Sequence, residues 1–303
     1  MSSIEKTFQR EIIRCIAGQR IDPSEGILIA YSGGPDSTVL LHAASVVLGQ
    51  WANCRFSAAY VNHNLRERRW LLQEIAHVKS FCAGSAIPLH ILECGEGEIV
   101  RNALIDDCGI EAAARAARYR LLFNCMREND LRYLMTAHTA DDQIETVIMR
   151  FFQGSGPEGL QGIPEVSEGG KVLRPLLHLP KEDIHAYLQA CELSWHTDET
   201  NREKRFLRNR IRLLVPEIER VFPGFRKSLE ALQDKMSAVV EHTGSAGQES
   251  SFAREMQITD GVCTEVSFSV QYYLQLDRYS RWQFLRFCWN GMRKDSSERL
   301  SYQ

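Results

Sequence analysis

A short polar segment with two glycines, two serines and one carboxylate separates two apolar runs near the N-terminus. In ILIAYSGGPDSTVLLHAA (27–44), the first run ends at Ala30 and a helical apolar pattern follows the segment. The segment therefore lies between a predicted strand and a predicted helix, where open α/β sheets bind ligands and backbone N–H groups are free. This position predicts an anion site. Its candidate ligand-binding residues are Ser32, Gly33, Gly34, Pro35, Asp36 and Ser37.

The residue types in this turn suit a phosphate group and its metal ion. Gly33 and Gly34 allow unusual backbone angles and close approach, and the serine hydroxyls can donate hydrogen bonds. Asp36 is a candidate ligand for the Mg²⁺ that accompanies phosphate. A Walker-type P-loop is excluded because no lysine lies near the turn. GSGPEG (154–159) has the form of a dinucleotide motif, but it follows a helical pattern and is predicted to be a loop.

Two further polar clusters follow later predicted strands. YVNHNLR (60–66) places His63 and Arg66 near the first turn, where imidazole and guanidinium groups suit phosphate. In TAHTADDQIETVIMRFF (136–152), Asp142 and Glu145 share the helix face opposite an apolar stripe. Two neighbouring carboxylates repel each other and attract a cation, either Mg²⁺ or an ammonium group. Helix capping and compensation of the helix dipole are the alternative explanation for Asp141 and Asp142.

A helical segment before the fourth strand carries basic residues on one face. In GIEAAARAARYRLL (109–122), Glu111, Arg115 and Arg118 share a face at about 100° per residue, and small alanines lie on the other side. The polar face is therefore predicted to be free for a ligand. An exposed ion pair between Glu111 and Arg115 is the alternative explanation.

These clusters need a framework of strands that alternate with helices. Apolar runs predict strands at 27–31, 56–61, 89–92, 133–137 and 171–174, with helical patterns between them. The alternation predicts an α/β fold with a doubly wound, mainly parallel sheet, followed by a helical second domain and a partial C-terminal region. We expect a catalytic domain over 1–216, a helical segment over 217–242, a linker over 243–251 and a substrate-binding region over 252–303.

The composition sets further bounds on function. The 303 residues are 44% hydrophobic and 25% charged, with a net charge of −3, so the chain as a whole shows no signal for nucleic acid. Local basic clusters occur at LRERR (65–69) and REKRFLRNRIR (202–212), for which a solvated helix face is the alternative explanation. Nine cysteines without a C-x-x-C pair predict reduced thiols and no structural metal. No apolar run is long enough to cross a bilayer, so we expect a cytoplasmic protein without membrane partners.

In their order and spacing, the motifs resemble those of the tRNA(Ile)-lysidine synthases, a family of PP-loop ATP pyrophosphatases. The resemblance covers about residues 26–216 and rests on SGGxDS, NHxLR, EAAARxARY, AHxxDDQxET, RPL and DETNREKRFLRNRIR (198–212). It implies a PP-loop domain, a helical second domain and a C-terminal tRNA-binding domain. It also implies ATP, Mg²⁺, free L-lysine and tRNA(Ile) with a CAU anticodon, with a homodimer as the candidate assembly.

The activity that the resemblance implies is a two-step ligation at the wobble cytidine. ATP adenylates the cytosine O2 and pyrophosphate leaves; the lysine ε-amine then attacks C2 to give lysidine and AMP. By the same resemblance, the PP-loop residues hold pyrophosphate and Mg²⁺, Arg115 and Arg208 neutralise charge on ATP, and Asp142 with Glu145 receives the lysine ammonium. The residues placed near the nucleotide or the target base are His63, Arg66, Glu111 and His138.

The chain departs from the family pattern in two places, and three other functions are alternatives to lysidine synthesis. ERRWLLQ (67–73) replaces an acidic, serine-containing segment, and Gln153 stands where an arginine is common. A PP-loop tRNA 2-thiolation enzyme would need cysteine ligands or sulfur carriers, often as C-x-x-C. A non-catalytic tRNA-binding homologue would gain nothing from carboxylates beside a phosphate site. A PP-loop amidotransferase-type synthetase lacks support because no cysteine begins the chain.

Overall fold

The computed structural model describes residues 2–65, 68–196, 207–247, 255–259 and 262–267, with 273, 274, 281, 284 and 285. Arg66 and positions 198–206 of the predicted basic segment lie outside the described residues. The helices are α1 (Ser3–Gly18), α2 (Pro35–Leu48), α3 (Arg68–Gly84), α4 (Glu98–Ile105), α5 (Ile110–Glu128), α6 (Ala140–Phe152), α7 (Pro157–Leu160), α8 (Lys181–Ala190), α9 (Leu207–Val221) and α10 (Phe225–Gly247). The strands are β1 (Ile27–Ala30), β2 (Phe56–Asn62), β3 (Leu89–Glu93), β4 (Tyr133–Met135), β5 (Val166–Ser167), β6 (Val172–Leu173), β7 (Glu255–Thr259) and β8 (Val262–Ser267).

A six-stranded sheet forms the centre of the first part of the chain. Its strand order is β3-β2-β1-β4-β6-β5, and only β5 is antiparallel to its neighbour. β1 pairs with β2 and β4 on its two sides, with Ile27 in register with Phe56 and Tyr133. The change of strand order beside β1 is the switch point at which such sheets bind ligands. The predicted α/β fold with a mainly parallel sheet is confirmed.

The sheet is buried on both faces, which explains why its strands are continuous apolar runs. Successive residues of β1 enter different cores: Ile27 and Ile29 pack with α1, α2 and α8, whereas Leu28 packs against α5. The second core contains Leu122 and Met126 of α5. All five predicted strands are present, although the fifth is reduced to the two residues of β6.

Short elements around the edge of the sheet were not predicted. β5 adds an antiparallel edge strand, and Arg174 fixes the connection by donating to the Pro164 carbonyl at 2.7 Å. GSGPEG (154–159) follows α6, as predicted, but its last three residues are not loop and begin the single-turn helix α7. Pro157 at the first position of α7 explains this turn, because proline is favoured where an N–H has no helical acceptor. Gln153 is exposed just beyond α6.

The chain groups into two compact units. The first contains Met1–Met149 and Gly162–Phe225, and the second contains Arg150–Gln161 and Arg226–Gln303. The division predicted at residue 216 falls inside α9, which passes through Pro216 and belongs as a whole to the first unit. The predicted linker at 243–251 begins within α10, which continues to Gly247. Helix propagation is cooperative, so an established helix extends through residues of modest propensity.

The described thiols and helices give two further observations. Cys15, Cys54, Cys82, Cys94, Cys108, Cys125 and Cys191 are free thiols. Burial raises the pKa of Cys82 to about 11, which keeps that thiol protonated near neutral pH. Within the described parts of the chain, we find no helix with the length and apolar character needed to traverse a membrane.

Candidate active site

The predicted phosphate loop connects β1 to α2. α2 begins at Pro35, and the residue before it, Gly34, is extended and provides no side chain to cap the helix. The first N–H groups of α2 can therefore bind an anion, and the helix dipole favours negative charge at this end. Asp36 is the acidic residue of the first turn.

Two serine hydroxyls maintain the shape of the loop. Ser37 Oγ donates to the Gly34 carbonyl at 3.0 Å and accepts the Ser32 N–H at 3.2 Å. The two hydroxyl oxygens lie 3.0 Å apart. Ser37 is buried and Ser32 is exposed, so Ser37 shapes the turn while Ser32 is accessible to a ligand.

Gly33 is required by the backbone conformation at the tightest point of the loop. Its φ is +78°, and an added Cβ would lie 3.0 Å from Val78 Cγ1. Its carbonyl accepts the backbone N–H of His196 at 2.9 Å. A residue far along the chain thus helps to hold the loop.

We expect Gly33→Ala to destabilise the protein and weaken anion binding, with Gly34→Ala as the matched control. The left-handed conformation and the close Val78 contact should cost about 1–3 kcal/mol at Gly33. Gly34 has a φ of −76°, and its nearest contact to an added Cβ is 3.5 Å. Urea unfolding of both variants measures the difference. Equal loss of stability in the two would contradict this explanation.

A cavity of about 600 Å³ opens above the loop, at the carboxyl ends of β1, β2 and β4. It gathers most of the residues predicted from the sequence: Ser32, Gly34, Pro35, Asp36, Ser37, His63, Arg115, His138, Asp142 and Arg208. Gly33 and Glu145 are not among the residues that line the cavity. Glu111 is exposed at the start of α5 and does not line the cavity.

Asp36 is a partly buried carboxylate at the edge of the phosphate loop. Burial raises its pKa to about 6, and the charge of Asp142 adds to the rise, whereas Lys181 and Arg212 oppose it. Among the described residues, no hydrogen bond or salt bridge to its carboxylate is found. A cation held between this carboxylate and a bound phosphate would relieve the cost of burial.

Arg115 and Arg118 extend from α5 toward the same cavity. Arg115 donates to the Tyr119 hydroxyl at 3.4 Å, and both guanidinium groups lie within 5.6 Å of the Tyr119 ring centroid. Burial, together with the charge of Arg115, lowers the pKa of Arg118. Glu111 and Arg115 both lie in the described part of the chain and form no ion pair with each other. The alternative explanation of this helix face, an exposed ion pair between them, is therefore wrong. These two arginines provide positive charge that an anionic ligand can neutralise.

Asp142 both caps α6 and lines the cavity. Its Oδ2 accepts the Thr139 N–H at 2.8 Å and the Thr139 hydroxyl at 3.1 Å, while Oδ1 lies 3.5 Å from Arg208 Nη2. Burial alone would raise the pKa of Asp142, but Arg208, His138 and the Thr139 N–H lower it. Asp142 is therefore ionised near neutral pH. Its neighbour Asp141 caps α8 by accepting the Lys181 N–H at 2.8 Å.

His138 provides an uncharged imidazole beside Asp142. Its Nδ1 lies 3.0 Å from Thr136 Oγ1, and burial lowers its pKa. His63 is placed by the loop after β2, where Asn64 adopts a positive φ and donates to the Cys94 carbonyl at 2.6 Å. Both imidazoles can contact a neutral ligand group, such as a nucleobase, by hydrogen bonding or stacking.

Glu145 does not line the cavity and contacts two arginines of α9 that do. Its side chain is only 3% exposed; Oε1 accepts Arg212 Nε at 2.6 Å, and Oε2 accepts Arg212 Nη2 and Arg208 Nε, each at 3.0 Å. Asp142 and Glu145 therefore do not form one open acidic pair. The physical reason is that Arg208 and Arg212, one helical turn apart, share a face of α9 and neutralise the buried carboxylate.

Some cavity residues were not assigned a role from sequence. They are Glu74, Arg118, Lys181 and Arg212. The spacing of Arg212 from Arg208 in RNRIR was an available signal, because residues four apart share a helix face. Lys181 follows Pro180 at the start of a predicted helix, but nothing in that pattern indicates a ligand. No sequence pattern indicates that Glu74 lines the cavity, since α3 contains no distinctive motif.

Comparisons with known proteins agree with this geometry. The PP-loop domain family matches residues 4–218. A tRNA(Ile)-lysidine synthase from Borrelia garinii subsp. bavariensis is 38% identical over 217 residues, covering 71% of this chain and 48% of that protein. One from Treponema denticola is 34% identical over 218 residues, covering 70% and 45%. The chain spans about half the length of the curated relatives it matches.

A solved structure has a similar fold. The U34-tRNA thiolase NcsA from Methanococcus maripaludis, with its 4Fe-4S cluster, has a TM-score of 0.65 and 19% identity, covering 79% of this chain and 80% of that chain. At this identity the likeness concerns the fold alone. Because the family match covers most of the sequence and the β1–α2 turn has the form of its phosphate loop, the chain belongs to the PP-loop family.

Proposed function

We propose that the chain ligates free L-lysine to C2 of the wobble cytidine of tRNA(Ile) with a CAU anticodon. The products are lysidine, AMP and pyrophosphate, and the modified tRNA reads AUA instead of AUG. The observation that carries the proposal is one cavity that joins a PP-loop to arginines and an ionised Asp142. The identity of 34–38% to tRNA(Ile)-lysidine synthases supports the choice of this reaction.

Membership in the PP-loop family implies the use of ATP. The loop formed by Ser32, Gly33, Gly34, Pro35, Asp36 and Ser37 would bind the pyrophosphate portion through backbone N–H groups and hydroxyls. Arg115 on α5 and Arg208 on α9 would neutralise the charge that develops around the α-phosphorus during attack by the cytosine O2. His63 and Arg66 are proposed neighbours of the nucleotide, with His138 beside the target base.

Mg²⁺ is the proposed metal, with Asp36 as its protein ligand. The described residues contain no group of three His, Cys, Asp or Glu side chains that could hold a metal alone. One carboxylate beside a phosphate site nevertheless fits Mg²⁺, which is commonly bound by one or two carboxylates and substrate phosphates. The ion would supply charge neutralisation to the departing pyrophosphate.

Asp142 is the proposed receptor for the lysine ammonium group. It lines the cavity with its Oδ1 3.5 Å from Arg208 Nη2, and its pKa is lowered, so it is negatively charged at neutral pH. An ε-ammonium with an ordinary pKa of about 10.4 must lose a proton before it attacks C2. Glu145, enclosed by two guanidinium groups, would act on lysine only indirectly.

A PP-loop tRNA thiolase is the second candidate, favoured by the fold of the U34-tRNA thiolase. The chemistry of a sulfur carrier or a cluster needs cysteine side chains at the site. Among the described residues, the cavity lining includes no cysteine. A non-catalytic tRNA-binding homologue is the third candidate, and the buried carboxylate of Asp36 disfavours it, because RNA binding alone would not need that group.

Radiolabelled lysine incorporation tests the proposal. Purified tRNA(Ile) with CAU is incubated with ATP and Mg²⁺, beside the same tRNA carrying U at the wobble position. We expect label only in the first tRNA. Label in neither, together with confirmed tRNA binding and with a relative from Borrelia garinii as positive control, would reject lysidine synthesis for this chain. We propose a cytoplasmic location for this activity, and the homodimer stays a prediction.

A further inference from the structure

The contacts of Glu145 distinguish the two arginines that surround it. Arg212 approaches side-on, with Nε on Oε1 at 2.6 Å and Nη2 on Oε2 at 3.0 Å. Arg208 contacts only Oε2, through Nε at 3.0 Å. A two-bond guanidinium–carboxylate contact fixes orientation more strongly than a single bond. The orientation of the Glu145 carboxylate is therefore set by Arg212.

Arg208 depends on that carboxylate for its own position. Its Nη2 makes longer contacts, at 3.3 Å to Thr146 Oγ1 and 3.5 Å to Asp142 Oδ1. The bond to Glu145 is the shortest of the three and reaches the most buried partner, since the Glu145 side chain is 3% exposed. A change in the Glu145 carboxylate would thus displace Arg208 at the cavity wall.

We propose that Arg212 is a positioning residue, which fixes the Arg208 guanidinium through the shared carboxylate of Glu145. This inference rests on the proposed role of Arg208 in binding the nucleotide phosphates. It reassigns Glu145 from contact with lysine to alignment of an arginine. Arg212 and Glu145 then form a rigid support on α9 and α6, and Arg208 presents charge to the ligand.

The distribution of charge supports this division of roles. Arg208 and Arg212 face the carboxylates of Glu145 and Asp142, so this group of four has no net charge. Arg115 and Arg118, in contrast, lie over the Tyr119 ring, and within the described residues neither forms a salt bridge with a carboxylate. The excess of positive charge at the cavity therefore comes from α5, while Arg208 presents a guanidinium whose position is set by its contact with Glu145.

A double-mutant cycle tests the inference with a readout that does not require the ligation reaction. Calorimetry measures how tightly the protein binds a non-hydrolysable α,β-methylene ATP analogue in the presence of Mg²⁺. The dissociation constant of the analogue is compared for wild type, Arg208→Gln, Arg212→Gln and the double variant. Arg210→Gln is the matched control, because Arg210 is exposed on the same helix. Arg212→Lys tests whether charge without the two-bond geometry is sufficient.

We expect each single variant to bind the analogue about tenfold more weakly, the double variant to bind no more weakly than Arg208→Gln, and Arg210→Gln to match wild type. Arg212→Lys should fall between wild type and Arg212→Gln. Multiplicative losses in the double variant would mean direct contact of Arg212 with the ligand and would overturn the inference. Unchanged binding in Arg212→Gln, with lowered thermal stability, would leave only a structural role and would also overturn it.

The same preparations are assayed for lysine incorporation, which separates this inference from the proposed function. If wild type binds the analogue and shows the non-additive cycle but transfers no lysine, the proposed reaction fails and the positioning role stands. If wild type does not bind the analogue, Arg208 has no nucleotide to hold and the positioning role fails.

Discussion

Replacing Asp36 with asparagine or alanine is expected to abolish Mg²⁺-dependent ATP turnover while the fold stays intact, and Asp36→Asn should stabilise the ligand-free protein. Burial raises the pKa of this carboxyl to about 6 from the ordinary 3.8. Above pH 6 the folded protein therefore carries a buried charge at a cost of about 1–3 kcal/mol, which the amide avoids. Denaturant unfolding and ATP turnover, measured on the same samples, test both expectations.

The pH dependence of the Asp36 effect has a definite sign. Because the folded pKa lies above the unfolded pKa, the native state binds more protons between about pH 3.8 and 6, and this group lowers stability as pH rises through that range. The gain from Asp36→Asn should thus be near its maximum at pH 8 and small at pH 4. Asp107→Asn, at an exposed position, should show no such gain. Wild-type turnover in Asp36→Ala would refute the proposed metal role.

Asp142→Asn is expected to separate the two halves of the proposed reaction. Asparagine still has a carbonyl oxygen to accept the Thr139 N–H, so the start of α6 should persist. The negative charge that attracts the lysine ammonium is lost, which should reduce lysine transfer at least about 100-fold. The tRNA-dependent exchange of pyrophosphate into ATP reports the adenylation step, which occurs before lysine attacks. The rate of this exchange should change only a few fold.

The neighbouring carboxylate provides the control for this experiment. Asp141 caps α8 at Lys181, and Asp141→Asn keeps a capping oxygen there. It should therefore retain most of the lysine transfer activity. Equal losses of pyrophosphate exchange and lysine transfer in Asp142→Asn would instead assign Asp142 to the nucleotide, and the receptor for lysine would have to be sought elsewhere.

The strands and the phosphate loop were predictable because their determinants are local. β1 and β4 are buried strands and β2 is largely buried, so each appears as a compact apolar run, whereas the edge strand β3 is only partly buried. The turn SGGPDS contains the glycines and hydroxyls that its backbone needs, and Gly33 has the expected positive φ. The edge strand β5 was not predictable, because two residues at the margin of a sheet leave no pattern.

The partners of Glu145 could not be predicted from its helix alone. Spacing placed Glu145 and Asp142 on one polar face of α6, but Glu145 is buried together with Ile144, Val147 and Ile148 of the apolar stripe. Which of them meets the cavity depends on α9, more than 60 residues later, where Arg208 and Arg212 approach. Side-chain contacts over such a separation arise from tertiary packing, and periodicity within one helix contains no information about them.

The bond from the His196 N–H to the Gly33 carbonyl has a consequence for biosynthesis. Gly33 leaves the ribosome about 160 residues before His196, which at roughly 5–20 residues per second corresponds to about 10–30 s. β4, which borders β1, also emerges only about 100 residues after the loop. The phosphate-loop sequence is therefore synthesised well before the groups that complete that loop are available. Bound nucleotide can therefore meet the complete loop only after His196 has been synthesised.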